Sequence, residues 1–253
     1  MYAEERLQFI VQRARVEGRV DVAALADELN VTAETIRRDL TALERQGLLR
    51  RVHGGAIPVE RLRFERSLDV RDALMQSEKE RIAKAALDEL PEQGTILLDA
   101  GTTTARLAEI LPAERELTVV TNSLPIAMML AAQPNNTVLM VGGRVRGRTL
   151  AAVDDWATRV LADTCVDVAF VGTNGVSTER GLTTPDLAEA AVKRAMLAAA
   201  RRRVLLADHT KVGSDHFARF GGLEDLDVLV SDTGLEPDAA AQLGAAGPRV
   251  VLA

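Results

Sequence analysis

A single cysteine, Cys165, stands in 253 residues, which excludes an intramolecular disulfide and any cysteine-rich zinc site. Its expected place is that of a small buried hydrophobe near a strand. Aromatic residues make up only 3% of the chain, so the core has to be built from Ala, Val, Leu and Ile, as suits parallel strands covered by helices. No apolar run approaches the roughly 18 residues of a membrane span. The opening residues, MYAEERLQFI, carry acids where a secretory signal would be basic and then apolar. These absences lead to the expectation of a cytoplasmic protein without a membrane partner. Internal repeats and low-complexity tracts are also missing. What is present is a hydrophobic fraction of 47%, enough for one large domain or a medium domain plus a small one.

The net charge of -6 opposes binding to nucleic acid, but the charge is unevenly spread. Residues 1–56 hold nine Arg against nine Asp plus Glu, so the acidity belongs to the remainder. The residue pattern changes along with the charge. Residues 3–50 read as three short helices. Residues 95–252 alternate helical stretches with the apolar runs TILLD, LTVVT, TVLMV, DVAFV, RVLLA, LDVLVS and RVVLA. Such alternation predicts a βαβ series and a mostly parallel sheet. The expected organisation is a small helical domain over 1–56, a linker over 57–76 followed by a helix from Glu78 to Leu90, and an α/β domain over 77–253. Further helices are expected at Thr103–Leu111 and Leu187–Arg202.

Within the first domain, VTAETIRRDLTALERQGLLRRVHGG packs five arginines into residues 31–55. Asp21 and Thr32 are natural helix N-caps on either side of a tight turn at Asn30–Val31. Ile36, Leu40 and Leu43 share one face of the second helix, and Glu34, Arg37, Arg38, Thr41 and Arg45 face the other way. That side is a ridge suited to a major groove, with Arg able to pair bidentately with guanine and Thr or Arg able to hold phosphate. Arg50, Arg51 and His53, with Gly54 and Gly55 supplying a turn, read as a basic hairpin or wing. For one helix alone, solvated arginines partnered by Glu34, Asp39 and Glu44 are the better account. The turn spacing, the cap and the hairpin together favour a DNA reader.

In the second domain, TILLDAGTTTARLAEIL ends a strand at Asp99, turns at Gly101 and opens a helix with Thr102, Thr103 and Thr104. Backbone N–H groups, hydroxyls and the helix dipole then converge at the strand's carboxyl end. A small monophosphate suits this point, and so does a plain strand-to-helix turn with Thr as cap. The tract lacks G-K-[ST] and has one glycine, so it is neither a P-loop nor a dinucleotide fingerprint, and no cofactor is expected. Further polar elements follow other strands: Thr121-Asn122-Ser123, Gly142-Gly143-Arg144, Gly172-Thr173-Asn174 and Asp208-His209-Thr210-Lys211. Together they describe a crevice along one sheet edge. Glu189 and Lys193, four apart on a helix, are either an ordinary surface pair or part of that crevice. His209 has no His or Cys at ligand spacing, so no metal is expected.

The first half, through T-A-E-T-I-R-R-D-L and R-V-H-G-G-A, resembles the winged helix-turn-helix of the DeoR family of bacterial transcriptional regulators. The second half resembles the family's sensor domain through DAGTTT, TNS, VGGRV, FVGTNGV, GLTTP, EAAVKRAM and ADHTKVG. The resemblance implies a fold like ribose-5-phosphate isomerase and CoA transferases. It assigns operator recognition to Thr32–Arg45, including Thr35, and the wing to Arg50–Gly55. It assigns phosphosugar binding to the crevice, with Gly101–Thr104 on the phosphate and Lys211 facing the ligand. Asp154 and Asp155 in LAAVDDWA stand where family members commonly have Gly, a departure that either alters that wall of the pocket or simply caps the helix. VLLADHTKVG and LAAVDDWA look most like regulators of fructose catabolism, which implies fructose 1-phosphate.

The expected function is therefore a repressor that binds double-stranded operator DNA as a homo-oligomer, a dimer or tetramer, and responds to a phosphorylated sugar. The competing class is a sugar-phosphate isomerase with Glu189 as base and Lys211 polarising the substrate. The helix-turn-helix argues against it, as does neutral Asn174 where an enzyme would be expected to place a second carboxylate.

Overall fold

The computed structural model describes residues 3–46, 48–52, 54–58, 65, 67–133 and 137–253. The chain forms two units that divide between residues 65 and 66.

The first unit contains α1 (Ala3–Glu17), β1 (Val20–Asp21), α2 (Val22–Leu29), α3 (Ala33–Arg45), β2 (Leu49–Val52) and β3 (Gly55–Pro58). The Asp21 carboxylate accepts the Ala23 and Ala24 N–H groups at 2.9 and 3.2 Å and starts α2. Asn30, left-handed at φ 50, ends it. The Thr32 hydroxyl accepts the Thr35 N–H at 3.2 Å and starts α3. Ile36, Leu40 and Leu43 are 0–1% exposed, each worth about 1.5–3 kcal/mol of burial. The strands add a small antiparallel sheet, order β1-β3-β2, to the three helices. Gly54 carries the β2–β3 turn at φ +74, whereas Gly55 has another reason to be glycine: a Cβ there would lie 1.9 Å from the Val20 carbonyl oxygen of the paired strand.

The second unit opens with α4 (Leu68–Ala73) and α5 (Gln76–Ala86), then a 3-10 turn at Leu87–Glu89. There follow β4 (Gly94–Leu98), α6 (Thr102–Glu109), β5 (Leu117–Thr121), α7 (Leu124–Ala131), β6 (Thr137–Met140), β7 (Arg144–Arg146), β8 (Ala151–Val153), α8 (Asp155–Ala162) and β9 (Val166–Gly172). The unit continues with β10 (Gly175–Ser177), β11 (Gly181–Thr184), α9 (Leu187–Ala199), β12 (Ala200–Leu206), β13 (Ala218–Gly221), β14 (Val228–Ser231), α10 (Pro237–Ala245) and β15 (Arg249–Leu252). Seven parallel strands, order β15-β14-β12-β9-β4-β5-β6, make the main sheet, one for each apolar run in the sequence. Alternate side chains enter different cores. Leu97 and Val120 pack on one face, and Ile96, Leu98 and Val119 on the other.

Three expectations need correction. The helix from Leu187 stops at Ala199, because Ala200 and Arg202 already pair with Val166 and Val168 in the sheet. Helix α5 begins at Gln76 and gives way to a 3-10 turn after Ala86. Cys165 is exposed, in the turn that leads into β9, rather than buried. Within the segment expected as a linker, β3 ends at Pro58 and α4 occupies Leu68–Ala73, while residues 59–64 and 66 are outside the described ones.

Candidate functional site

In the first unit the outer side of α3 presents Glu34, Arg37, Arg38 and Arg45, all exposed. Arg37 and Glu34 form an open pair at 3.4 Å, worth little in water. Asp39 does not partner the arginines of α3. It is buried and bound by Arg6 of α1 at 2.6 and 3.2 Å, tying α1 to α3. The threonines mostly position. Thr32 and Thr35 bond each other at the cap, their hydroxyls 2.9 Å apart, and the Thr41 hydroxyl donates to the Arg37 carbonyl at 2.8 Å. Arg51 leans on α3, its guanidinium donating to Thr41 at 3.3 Å and its N–H to Glu44 at 2.8 Å. On a strand neighbours alternate, so Arg50 turns the other way and is half-buried. His53, expected in the wing, lies outside the described residues. What stands open is a ridge of Arg37, Arg38 and Arg45 beside Arg51 on the wing.

In the second unit the carboxyl ends of β4, β9 and β12, adjacent in the sheet, gather the charged groups. Asp99, 1% exposed, accepts the Gly172 N–H at 3.0 Å and bonds the Lys193 ammonium, which also donates to the Gly172 carbonyl at 2.9 Å. Burial pushes the Asp99 carboxyl above its ordinary range, against the pull of Lys193. Glu189, one turn before Lys193 on α9, points to a different partner. It accepts from Arg146 at 3.1 Å and from the Thr149 hydroxyl at 2.5 Å. Glu189 and Lys193 are thus both buried and not a surface pair with each other. Oε1 of Glu189 is thus already occupied by a guanidinium and a hydroxyl, which counts against the isomerase role. The Thr184 hydroxyl bridges Glu189 Oε2 at 3.4 Å and Asn174 Oδ1 at 3.1 Å, joining Asn174 to the cluster. The Thr173 hydroxyl turns inward to the Gly175 and Thr183 carbonyls.

At the end of β12, Asp208 accepts the Thr210 N–H at 3.1 Å and pairs with Lys211 at 3.1 Å. Burial alone would raise its carboxyl, but Lys211, the Thr210 hydroxyl and the more distant Lys79 outweigh it and hold it low. Lys211 stays 30% exposed. His209 Nδ1 meets the buried Asp232 at 2.7 Å, a pairing absent from the sequence reading. Among the described residues no group of three or more His, Cys, Asp or Glu side chains could hold a metal ion.

The turn after Asp99 departs in detail from expectation. Gly101 is extended, φ -175, so the turn itself does not demand glycine, although a Cβ would come 3.1 Å from Thr104 Oγ1. The Thr104 hydroxyl is used internally, 2.7 Å from the Asp99 carbonyl and 3.0 Å from that of Gly101. Thr102 and Thr103 remain at the start of α6, where no side chain caps the helix. Thr121, Asn122 and Ser123 brace this turn. Thr121 donates to Leu98 at 2.7 Å, Asn122 accepts from Ala100 at 2.9 Å and donates to Ala152 at 3.2 Å, and Ser123 caps α7. Gly142, Gly143 and Arg144 do not join the cluster. At Gly143, φ +136, a Cβ would sit 2.4 Å from the Val153 carbonyl oxygen, and exposed Arg144 pairs with Asp154 at 2.6 Å. Gly143, Arg144 and Asp154 line a separate open cavity of about 630 Å³ with Asp155 and Trp156. Arg146, two residues on, is the arginine that reaches the crevice.

A winged helix-turn-helix unit followed by a parallel α/β unit with charged groups at its strand ends defines a two-unit DNA-binding protein. The DeoR-like helix-turn-helix domain matches residues 6–61 and the DeoR C terminal sensor domain matches residues 75–233. The HTH-type transcriptional regulator GlpR of Haloferax volcanii is 37% identical over 99% of this chain and 98% of its own. The glycerol-3-phosphate regulon repressor of Escherichia coli K12 is 29% identical over 92% of both. Ribose 5 phosphate isomerase A from Neisseria gonorrhoeae resembles it at a TM-score of 0.39 and 19% identity, over 57% of this chain and 55% of that one. The chain belongs to the DeoR family of helix-turn-helix transcriptional regulators. It is a regulator and not an enzyme.

Proposed function

We propose that the protein represses a sugar-catabolism operon and that a phosphorylated sugar in the strand-end crevice lowers its affinity for operator DNA. The observation that carries this reading is the convergence of Lys193, the half-open Lys211 and the uncapped start of α6 on the carboxyl edge of adjacent strands. Amides at a helix start and ammonium groups favour a phosphate, and Asp99, Asn174 and Glu189 offer acceptors for sugar hydroxyls. The glycerol-3-phosphate regulon repressor carries a phosphorylated polyol in its name, which supports the same ligand class and the repressing sense. Fructose 1-phosphate is the first candidate, on the resemblance of VLLADHTKVG and LAAVDDWA noted above. DNA reading falls to Arg37, Arg38 and Arg45, with Arg51 on the backbone, in a cytoplasmic dimer or tetramer that addresses paired half-sites.

Gel shifts on the gene's own upstream region with a panel of sugar phosphates test this. Coupling of about 1–3 kcal/mol corresponds to a roughly 5- to 150-fold loss of operator affinity at saturation, with operator weakening sugar binding equally. Gly101→Val and Thr103→Asp should abolish sugar phosphate binding in calorimetry and keep ligand-free operator binding. If none of the sugar phosphates binds, or Gly101→Val binds as well as the native protein, the sensor assignment is wrong.

A further inference from the structure

Lys79 is a charged residue on the apolar face of α5. It precedes Ile82, Ala83 and Ala86 by three, four and seven positions, and these three are 0–1% exposed. Helix α5 packs against β12 and β14, and Ile82 shares a core with Leu206 and Val230 at the ends of those strands. The start of α5 therefore lies at the carboxyl edge that carries Asp208 and Lys211. Lys79 is itself 3% exposed. Its ammonium donates to the Leu74 carbonyl at 2.5 Å and to the Arg71 carbonyl, bridging the corner between α4 and α5. That corner contains Met75 in the left-handed region, φ 54, a conformation a methionine disfavours and that the two bonds hold in place. The ionic groups that act on Lys79 are Asp208, Lys211, Arg71 and Asp72.

A second tie leads from the same corner to the crevice. Asp72, on α4, receives the Arg106 guanidinium at 2.9 and 3.0 Å, and Arg106 lies on α6, the helix that opens at Thr102. Helix α4 is also the first element after the division between the two units.

We propose that Lys79 is a third cationic arm of the anion site and the latch of the α4–α5 corner, so that a phosphate group taken up beside Lys211 draws the ammonium off the Arg71 and Leu74 carbonyls. The inference rests on the reading of the crevice as a phosphosugar site. It adds a ligand-responsive residue and a route from the ligand to the segment that leads into the DNA-binding unit. An anion added between Lys211 and Lys79 relieves their mutual repulsion and offers the ammonium a charged acceptor in place of two neutral ones, which is the stronger bond. Once the latch is open, the Met75 bend keeps only the backbone bonds from Leu74 N–H to Arg71 at 3.4 Å and from Lys79 N–H to Met75 at 3.0 Å, and the corner loosens.

Hydrogen exchange on the full chain, with inorganic phosphate as the probe against chloride at equal ionic strength, tests the inference. In the native protein phosphate should slow exchange in residues 208–213 and speed it about tenfold in residues 71–79, the effect of losing a hydrogen bond to a charged group. Lys79→Met should exchange fast at the corner with or without phosphate, and Lys79→Arg should restore the response. Protection at 208–213 with an unchanged corner would overturn the latch and leave the crevice reading intact. No response at either place would overturn both. A phosphate response in Lys79→Met equal to the native one would also rule the latch out.

Discussion

Replacing Lys193 by Met leaves the Asp99 carboxylate buried with only the Gly172 N–H for company. Removing one partner of a buried ion pair costs about 3–5 kcal/mol. The chain can limit that loss by protonating Asp99. Against an ordinary value of 3.8, the cost of a proton is about 1.4 kcal/mol per pH unit, which gives a ceiling of about 5 kcal/mol at about pH 7.5 and of about 2–3 kcal/mol at about pH 5.5. The sign follows from proton binding. With its pKa raised, folded Asp99 holds a proton that the unfolded chain releases, so stability falls as pH rises above the ordinary value. Without Lys193 this window widens towards neutrality, and the variant's deficit must grow with pH.

Urea unfolding followed by far-UV circular dichroism at the two pH values measures the deficit. Lys193→Met should lose about 3–5 kcal/mol near pH 7.5 and no more than about 2–3 near pH 5.5. Asp99→Asn together with Lys193→Met removes the charge and the partner at once and should recover most of the loss. A deficit below about 1 kcal/mol at neutral pH would mean that Asp99 is not buried as an ion against Lys193, because that is the level of an exposed pair. A deficit unchanged by acid, or a double variant no better than the single one, would refute the pairing as well.

Gly55→Ala should break the β1–β3 pairing, cost about 1–3 kcal/mol and reduce operator binding, since its Cβ would sit 1.9 Å from the Val20 carbonyl. Gly54→Ala meets only the Asp21 carboxylate at 3.6 Å and should cost about 1–2 kcal/mol for its left-handed backbone; equal stability of both variants in thermal melts would show the close approach to be wrong. Arg37→Ala with Arg38→Ala should remove operator preference, about 1–3 kcal/mol for each base contact, while Arg51→Ala should weaken all DNA alike in gel shifts. A folded double variant that binds operator as the native protein does would move the reading helix elsewhere. Burial lowers the Lys79 ammonium from 10.5 to about 8, so between these values the unfolded chain holds a proton the folded one has released. Stability of the native protein relative to Lys79→Met should therefore rise through that window, by about 3 kcal/mol at most; a flat difference from neutral to alkaline pH would contradict the buried placement.

The seven main strands were legible because each reads as an apolar run, even at the sheet's edges where β6 and β15 leave Leu139, Met140 and Leu252 exposed, and the two helix starts because Asp21 and Thr32 do there what short polar side chains do at any cap. The short strands β7, β8, β10, β11 and β13 were not legible. They are three or four residues long, most of them carrying Gly, Thr or Arg, and formed by pairings such as Leu182 with Gly221 that no local period records. Of the two glycines in the wing, the turn explains one; the need for the other comes from Val20, more than thirty positions away.

At the crevice the strand-end rule found Asp99, Gly172 and Asp208, because carboxyl ends of neighbouring parallel strands share an edge whatever their order. Partners are another matter, since they depend on that order. Spacing of four placed Glu189 and Lys193 on one face of α9 and left open whether they met each other. The sheet sets β9 beside both β4 and β12, so α9 passes over Asp99, and Lys193 turns to it, while the β7–β8 hairpin brings Arg146 to Glu189 from the other side. The signal for Lys79 is present in the sequence. Positions 79, 82, 83 and 86 follow the helical period, and a lysine that heads an otherwise apolar stripe must find acceptors inside the protein. In this fold the acceptors are carbonyls of the corner before its own helix, which is why the residue that looks most like solvated surface in EKERIAK is instead buried beneath the α4–α5 corner.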